Sequence, residues 1–371
     1  MGFATDAAVA QSRIDRCRTL MAAQGVDALL LSVGHDLPYL IGYHAMPLER
    51  LTMLVVPRDD TPTLVIPGLE APRVNVMPSV FKMRPWSETE DPVGIVADLV
   101  SGAGSAAVGD QMWSRFLVDL IVKSPQLKYT RASSIVGELR MRKDSTELRA
   151  LLAAGAAIDR VADQLHSGQV PLIGRTEAAV SADLSARIIA EGHQKVNFAI
   201  VAAGENAASP HHHPGDRVIR EGEIVLCDFG GTMNGYCSDT TRCVFTGEPS
   251  NEIAEAYAVL KAAEAAAAQA GTVGATCESV DHAARAIIDA AGYGKYFVHR
   301  TGHGIGMEEH EDPYMVEGNS LPIESGFAFS VEPGIYVPGK WGMRLEDIIV
   351  ATSDGPQSMN NSSHDLVTVV A

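Results

Sequence analysis

The sequence predicts two domains: an α/β domain over residues 1–138 and an α+β domain over residues 139–371 that contains an internal repeat. The length of 371 residues exceeds the roughly 100–200 residues of one domain. The first part of the chain alternates helix-like and strand-like segments, which is typical of an α/β domain. In the remainder, two helical segments followed by several strands occur twice, which indicates an internal duplication.

Composition and charge restrict the classes of protein. Hydrophobic residues make up 46% of the chain and charged residues 20%, which is typical of a globular protein and excludes general disorder. The 46 acidic residues outnumber the 29 Lys and Arg residues, so the formal charge is −17. Because nucleic acids and anionic membranes favour basic surfaces, we expect this chain to bind neither.

Cysteine usage and the absence of targeting signals indicate a compartment. The five cysteines are odd in number and lack a CxxC spacing, which argues against a disulfide framework and a cysteine-type zinc site. No stretch approaches the roughly 18–20 apolar residues of a membrane span. The first residues lack the basic and apolar regions of a signal peptide. We therefore expect a cytoplasmic protein.

Apolar spacing predicts the elements of the first domain. Ile14, Cys17 and Met21 recur at helical spacing within residues 11–24. Short apolar runs bounded by turn residues predict buried strands. The further elements are strands at 27–32, 52–57, 61–67 and 106–110 and a helix near 91–101.

A polar segment, residues 137–150, separates the two domains. Within it, Asp144 or Ser145 is a candidate N-cap, and Glu147 follows Asp144 by three residues, as in a capping box. The elements predicted beyond it are helices at about 145–166, 176–190, 251–270 and 276–291, and strands at about 197–205, 223–230, 236–245, 296–301, 326–332 and 344–351.

An acidic hairpin is predicted in the first half of the second domain. The Asn-Gly dipeptide at 234–235 is the strongest short hairpin signal. If it forms the turn, Asp228 faces Thr241 and Asp239 faces Gly230. The two carboxylates then lie on one face as diagonal neighbours, about 7–8 Å apart at the backbone. At that separation they can bind two metal ions but repel one another without them.

A second pair of carboxylates repeats this arrangement. Glu332 ends an apolar run and precedes Pro333, and Glu346 lies beyond a turn-rich connection. Arg344 is two residues before Glu346 and so points to the same side of that strand. Because the surroundings of Glu332 are apolar, we expect its carboxylate to be buried and to need partners.

Two groups of histidines accompany the carboxylates. His299, His303 and His310 lie in the segment HRTGHGIGMEEHEDP (299–313), beside acidic residues and glycines that let the backbone approach a ligand closely, and their spacing favours a metal or catalytic role. Three further histidines, 211–213, are adjacent in a loop bounded by prolines. Adjacent side chains cannot all converge on one point, so at most one or two of these three are expected to be functional.

Together these residues resemble the pita-bread metallopeptidase family, peptidase M24, in its prolidase and Xaa-Pro aminopeptidase branch. The match consists of DFG with Asp228, SDTTR with Asp239, GHGIG with His303, VEPGIY with Glu332 and RLED with Glu346. The first domain, including DLPYLIGY (36–43), resembles the creatinase-type N-terminal domain of that branch. The resemblance implies a creatinase-like α/β domain followed by a pita-bread catalytic domain with a pseudo-twofold repeat. Methionine aminopeptidases lack the N-terminal domain and are disfavoured.

The resemblance also implies a site with two divalent metal ions. Asp239 and Glu346 would bridge the ions, Asp228 would bind one, and His303 and Glu332 would bind the other. This oxygen-rich set suits Mn²⁺, with Co²⁺, Zn²⁺ or Fe²⁺ as possible occupants. Two such ions lower the pKa of a bridging water and polarise the scissile carbonyl.

The remaining roles follow from the same resemblance. Glu332 would carry a proton to the leaving amine, and His211, His299 and His310 would hold the peptide carbonyl and stabilise the oxyanion. His212 is the alternative to His211. Arg344 would orient Glu346 or meet the C-terminal carboxylate of the substrate.

The implied activity is that of a homodimeric, dinuclear metal-dependent exopeptidase. It would hydrolyse Xaa-Pro bonds in small peptides, with proline at P1′, through a metal-bridging hydroxide. Whether it is a Xaa-Pro dipeptidase or a Xaa-Pro aminopeptidase stays open. The alternative is a non-peptidase on the same fold: a creatinase-like hydrolase, a lyase or a binding module. It is disfavoured because such members typically lose ligands, and this chain retains all five.

Overall fold

The computed structural model describes residues 5–369, and the chain divides into two compact units, Met1–Arg140 and Met141–Ala371. The first unit contains a six-stranded sheet with the strand order β4-β3-β2-β1-β5-β6. Up to the division the elements are α1 (Ala7–Gln24), β1 (Ala28–Leu31), α2 (Asp36–Ile41), β2 (Met53–Pro57), β3 (Thr63–Pro67), β4 (Lys82–Trp86), α3 (Pro92–Leu99), β5 (Ser105–Val108), α4 (Ser114–Lys123), β6 (Lys128–Arg131) and α5 (Val136–Met141), which includes the division point.

Local sequence explains the ends and burial of these elements. The Asp6 carboxylate caps α1 by accepting a hydrogen bond from the amide of Val9, and Gly25 ends the helix at φ 67°. All four residues of β1 are buried, because this strand lies in the middle of the sheet. A continuous apolar run is what such a position requires.

Up to residue 369, the last that the structure describes, the second unit has four α-helices and two main sheets, with strand orders β17-β9-β8-β7 and β11-β10-β12-β15-β16. A separate hairpin pairs β13 with β14. The elements are α6 (Ser145–His166), α7 (Glu177–Ala190), β7 (Lys195–Ala203), β8 (Ile224–Met233), β9 (Tyr236–Thr246), α8 (Asn251–Ala270), α9 (Cys277–Ala290), β10 (Gly302–Gly304), β11 (Glu311–Met315), β12 (Ala328–Val331), β13 (Gly334–Val337), β14 (Trp341–Arg344), β15 (Asp347–Thr352), β16 (Gly355–Ser358) and β17 (Val367–Val369).

The internal repeat is visible in how the second helix of each half begins. Thr176 precedes α7 and Thr276 precedes α9, each as the N-cap residue. Two residues earlier, Gly174 has φ 82° and Gly274 has φ 90°, a left-handed conformation that favours glycine. Each threonine forms an isolated bridge to a downstream segment. The two halves therefore share one local design.

The predicted acidic hairpin forms with the expected register. Asn234 and Gly235 adopt φ 52° and 84°, as a two-residue hairpin turn requires. Asp228 pairs with Thr241, and Gly230 pairs with Asp239. The predicted capping box of α6, between Asp144 and Glu147, is also present.

Two strand predictions in the second half need correction. The segment expected to be a strand at 296–301 instead follows the end of a 3₁₀ helix (Gly294–Tyr296), has no regular structure and leads into the three-residue strand β10. The carbonyls of Phe297 and His299 accept hydrogen bonds from the Arg285 guanidinium rather than from a neighbouring strand. The strand expected at 344–351 is divided, and Glu346 lies between β14 and β15.

Apolar cores lie on the helix-covered faces of the two sheets. Ile158 of α6 and Leu184 of α7 pack with Phe229 of β8, whereas Leu260 of α8 packs with Phe329 of β12. No helix of the described residues 5–369 is both long and apolar enough to cross a membrane.

Candidate active site

One cavity of about 430 Å³ in the second unit contains all nine side chains that the sequence singled out. These are His211, Asp228, Asp239, His299, His303, His310, Glu332, Arg344 and Glu346. Six other residues complete the lining: Phe198, Ile200, Pro210, Arg300, Glu309 and Val316. A volume of this size is within the range of pockets that bind small ligands, about 300–1,000 Å³.

The hairpin β8–β9 supplies the first two carboxylates. Asp228 lies between Cys227 and Phe229, which are both in the apolar core, so strand alternation directs its side chain to the opposite face. The measured register places Asp239 on the same face of the neighbouring strand. Asp228 is 7% exposed and Asp239 4% exposed, so both carboxylates are almost completely removed from water.

The other two carboxylates come from points where strands end. Glu332 follows β12, and its backbone amide donates to the Thr301 carbonyl at 2.8 Å. Glu346 joins the two sheets, because its amide donates to the Thr241 carbonyl at 3.2 Å. The Thr241 hydroxyl in turn donates to Glu346 Oε2 at 2.6 Å. Strand β9 thus carries Asp239 of the first half and also holds Glu346 of the second.

His303 presents one ring nitrogen to the carboxylates. Its Nδ1 lies 3.0 Å from the Gly304 carbonyl, and as the donor it leaves Nε2 unprotonated. Nε2 is 3.3 Å from Glu332 Oε1 and 3.9 Å from Asp239 Oδ2. Burial and the neighbouring His310 lower the pKa of His303 to about 3, so the ring is neutral. A neutral imidazole oriented through its other nitrogen is the form that binds metal ions.

The donor set fits divalent cations. Ligand atoms of Asp239, His303 and Glu346 all lie within 4.8 Å of one another. Oδ1 of Asp228 and Oδ1 of Asp239 are buried without a hydrogen-bond partner. Buried carboxylates without compensation are strongly unfavourable. Bound cations would provide the missing compensation.

The pKa values of the carboxyl groups reflect their burial and their mutual repulsion. Burial, and next the charge of Glu346, raise the pKa of Asp239 well above its ordinary value. Burial and the charge of Glu332 raise the pKa of Glu346 in the same way. Burial raises the pKa of Glu332 to about 7, although Arg344 opposes this shift. The protein alone therefore does not balance the negative charge it places here.

Arg344 connects the carboxylates to a histidine through a chain of hydrogen bonds. Its Nη2 donates to Asp228 Oδ2 at 2.5 Å, and its Nη1 donates to the Tyr336 hydroxyl at 2.7 Å. The Tyr336 hydroxyl is 2.9 Å from His299 Nε2, and His299 Nδ1 is 2.7 Å from the Arg300 carbonyl. Burial and the charge of Arg344 lower the pKa of His299 to about 4. Both nitrogens of this neutral ring therefore have partners in the protein.

The other histidines of the cavity differ from His299. His211 and His310 form no hydrogen bond or ion pair with the rest of the described chain, so their ring nitrogens are available to a ligand. The His310 ring packs edge-on against His303, with centroids 4.0 Å apart. His212 instead lies 2.8 Å from Glu177, and His213 is exposed.

Sequence reasoning missed several residues that hold the site. Tyr336 lies four residues after Glu332, and Thr241 lies two residues after Asp239. Even spacing along a strand is the signal that places Thr241 beside the Asp239 carboxylate. The role of Glu177 has no such signal, because its partners lie more than 25 residues away.

A second cluster of possible metal ligands is already neutralised. Ligand atoms of Glu264, Asp347 and His364 also lie within 4.8 Å of one another. However, Asp347 Oδ1 is 2.7 Å from the buried Arg242 guanidinium, and its Oδ2 is 2.7 Å from His364 Nε2. These charges have partners in the protein, so the cluster is an ion-pair network behind Glu346.

Two family models match the chain, one in each part of the sequence. The model of metallopeptidase family M24 matches residues 148–353, and the model of the creatinase/prolidase N-terminal domain matches residues 13–142. The first match covers more than half of the chain, so the chain belongs to the M24 metallopeptidase family. The resemblance inferred from the motifs and the predicted fold class are confirmed. Membership implies divalent metal ions, which the donor set accommodates.

Individual relatives span almost the whole chain. The chain is 44% identical over 369 residues to the probable dipeptidase PepE of Mycobacterium tuberculosis, with 98% of each chain covered. It is 35% identical over 364 residues to the Xaa-Pro dipeptidase of Lactobacillus helveticus, covering 95% of this chain and 98% of the relative. The solved structure of the prolidase from Thermococcus sibiricus matches with a TM-score of 0.92 and 33% identity, covering 99% of this chain and 100% of the other.

Proposed function

We propose that this chain is a Xaa-Pro dipeptidase that uses two divalent metal ions, with Mn²⁺ as the native metal. The observation that carries the proposal is the single cavity in which nine side chains from dispersed motifs meet. The similarity to a Xaa-Pro dipeptidase and to a prolidase supports the substrate class. The relatives of higher identity are named dipeptidases, which favours a dipeptidase over a Xaa-Pro aminopeptidase.

Five residues would hold the metal ions: Asp228, Asp239, His303, Glu332 and Glu346. Four carboxylates balance the charge of two divalent ions, and the oxygen-rich set suits Mn²⁺. Asp239 and Glu346 are proposed as the shared ligands. Ions bound there would polarise the scissile carbonyl and lower the pKa of a water molecule.

The other side chains of the cavity would act on the peptide. His211 and His310 have free ring nitrogens and are proposed to hold the scissile carbonyl and stabilise the oxyanion. His299 lines the same cavity, and its ring is linked to Arg344 through the Tyr336 hydroxyl. Glu332 is proposed to carry the proton to the leaving amine, because its carboxylate lies at the cavity beside His303.

An apolar wall supports a substrate with a hydrophobic part. Phe198, Ile200 and Val316 line the cavity and are partly buried. Their side chains give a prolyl ring or an apolar N-terminal side chain a surface to pack against. The charged lining residues Arg300 and Arg344 would face the carboxylate of a short peptide.

The test compares two peptides after metal exchange. The purified protein is stripped with a chelator, reloaded with Mn²⁺ and assayed on Ala-Pro and on Ala-Pro-Ala. We expect metal-restored hydrolysis of Ala-Pro, with little of the tripeptide cleaved. Faster cleavage of the tripeptide would make the chain a Xaa-Pro aminopeptidase. Failure to cleave either peptide would refute the proposal and favour a non-peptidase.

We propose in addition that the protein is a cytoplasmic homodimer with a domain boundary between residues 138 and 139. The division into compact units at 140 and 141 supports the boundary. All five cysteines are free and buried, as in a reducing compartment. Helix α4 exposes Val118, Ile121 and Val122, apolar side chains that a second copy could cover. Light scattering after size exclusion measures the mass, and a monomer would contradict the dimer.

A further inference from the structure

Glu177, the first residue of α7, is a fully buried carboxylate with an unusual set of partners. Its Oε1 accepts hydrogen bonds from the Ala203 amide at 2.9 Å and from Asn206 Nδ2 at 3.0 Å. Its Oε2 lies 2.8 Å from His212 Nε2. Within residues 5–369, no Lys or Arg side chain pairs with this carboxylate. Since a buried carboxylate needs donors, its position depends on the segment that supplies them, residues 203–215.

The same segment forms part of the wall of the candidate active site. Pro210 and His211 line the cavity. The Pro210 carbonyl accepts a hydrogen bond from Arg344 Nη1 at 3.4 Å. On another side the segment packs tightly on β14, because a Cβ added at Gly342 would lie 1.9 Å from the Ala207 carbonyl oxygen. The segment is therefore held on one side by β14 and Arg344 and on the other by the Glu177 carboxylate, which binds residues 203, 206 and 212.

The three adjacent histidines of this segment have three different environments. His211 faces the cavity without a partner among the described residues. His212 is bonded to Glu177. His213 is exposed and has no hydrogen bond or ion pair in the described part of the chain. His211 thus directly precedes a residue whose ring is bonded to the first residue of helix α7.

We propose that Glu177 and His212 form a positioning pair that aims His211 at the substrate. The inference rests on the proposed function, in which His211 holds the scissile carbonyl. Neither member of the pair lines the cavity, so both act through His211. A displacement of about 1 Å in a catalytic group can reduce the rate by about a hundredfold. One lost hydrogen bond behind the site is therefore sufficient to impair turnover.

The first experiment uses matched substitutions in the histidine run. His212→Leu removes the donor, His212→Gln keeps an N–H group at a similar reach, and His213→Leu is the control at the exposed position. With the Mn²⁺-loaded protein and Ala-Pro, we expect His212→Leu to lower kcat by about 10- to 100-fold. KM should change less, because the interaction of His211 strengthens in the transition state. His212→Gln should recover most of the activity, and His213→Leu should match the wild type.

The second experiment separates positioning from general damage. In a His211→Ala background, adding His212→Leu should lower kcat little further, because residues that act as a unit are not additive. Glu177→Gln in the same background should behave likewise. It replaces His212→Leu in this double-mutant comparison if His212→Leu does not fold. Hydrogen exchange of the 203–215 amides should accelerate in His212→Leu and not in His213→Leu, whether or not substrate is present.

Each outcome discriminates. Additive losses, unchanged kcat in His212→Leu, or equal losses in the Leu and Gln variants would overturn the positioning role. The proposed function can also fail by itself. If the wild type cleaves no Xaa-Pro peptide while exchange at 203–215 still accelerates only in His212→Leu, the proposed function is refuted and the structural hold of the pair on this segment stands.

Discussion

The two halves of the catalytic domain build their carboxylate pairs in different ways. In the first half, Asp228 and Asp239 lie on one hairpin whose register is set by an Asn-Gly turn. In the second half, Glu332 and Glu346 lie outside the regular strands, and Glu346 is held by Thr241 of the first half. The first pair is therefore determined by local sequence, whereas the second depends on contacts between segments that are distant in the chain.

The halves also differ in how a helix carboxylate holds a histidine segment. Glu177 of α7 is paired with His212 beside His211. Asp281 of α9 accepts hydrogen bonds from the Thr301 amide at 3.0 Å and from Arg285 Nη2 at 2.9 Å. Arg285 then donates to the His299 carbonyl at 2.9 Å. The second half thus relies on a permanently charged partner, and the first relies on a histidine.

The substitution with the largest expected effect on turnover removes a charge from the second pair. Glu332→Gln keeps the size of the side chain but removes the carboxylate that we propose as proton carrier and metal ligand. General acid–base groups contribute about 10²–10⁴-fold to rates, so we expect kcat to fall by about 10³-fold or more. Metal content, measured by elemental analysis, should fall only in part.

The control is Glu317→Gln, an exposed position outside the cavity, which should leave kcat and metal content unchanged. If Glu332→Gln keeps more than a tenth of the wild-type kcat, Glu332 is not the proton carrier. The second half would then contribute only metal ligands, the role that we propose for the hairpin of the first half.

The next substitution tests the helix carboxylate of the second half. Asp281→Asn leaves one acceptor for Thr301 but loses the ion pair with Arg285, whose hydrogen bond to the His299 carbonyl then weakens. We expect kcat/KM on Ala-Pro to fall about tenfold, since His299 itself lines the cavity and a small displacement of its backbone moves the ring. The melting temperature should also fall, because the partly buried Arg285 guanidinium loses its charged partner.

Asp289→Asn on the same helix is the matched control, because that side chain is exposed. It should leave kcat/KM and the melting temperature unchanged. An Asp281→Asn variant that loses stability but keeps its kcat/KM would show that the α9 carboxylate supports the fold without positioning His299.

The comparison of the halves also shows what sequence can predict. Spacing and motif order identified five candidate ligands, and the Asn-Gly turn predicted a register that the structure confirms. These features depend on residues close in the chain. The link between Arg344 and Asp228 joins residues 116 positions apart and has no local signal. The absence of the strand expected at 296–301 has the same origin, because the Arg285 guanidinium binds the Phe297 and His299 carbonyls, which a strand would have paired.

The two halves also differ in the buried carboxyl group on their first helix, and this difference affects stability rather than turnover. Asp159 of α6 and Glu264 of α8 are both buried, and burial raises the pKa of each carboxyl group. Asp159 accepts hydrogen bonds from Asn360 Nδ2 and the Asn361 amide, which oppose the shift. Glu264 has the imidazole of His364 at 3.4 Å as its polar neighbour, and its pKa rises to about 7.

The sign of the pH dependence follows from that value. The ordinary pKa of 4.5 applies to Glu264 in the unfolded chain, whereas the folded chain keeps the proton up to about pH 7. The unfolded state therefore loses its proton first, and the contribution of Glu264 to stability falls as the pH rises from about 4.5 to 7. Glu264→Gln has no proton to lose. Its melting temperature relative to the wild type should rise by a few degrees between pH 5 and pH 8, with kcat unchanged. Asp159→Asn should show a smaller rise, because Asn360 and Asn361 already stabilise the charged form.

Equal pH profiles for wild type and Glu264→Gln would mean that His364 compensates the Glu264 carboxylate fully. The two helices would then be equivalent in charge, and the contrast between the halves would be confined to the cavity.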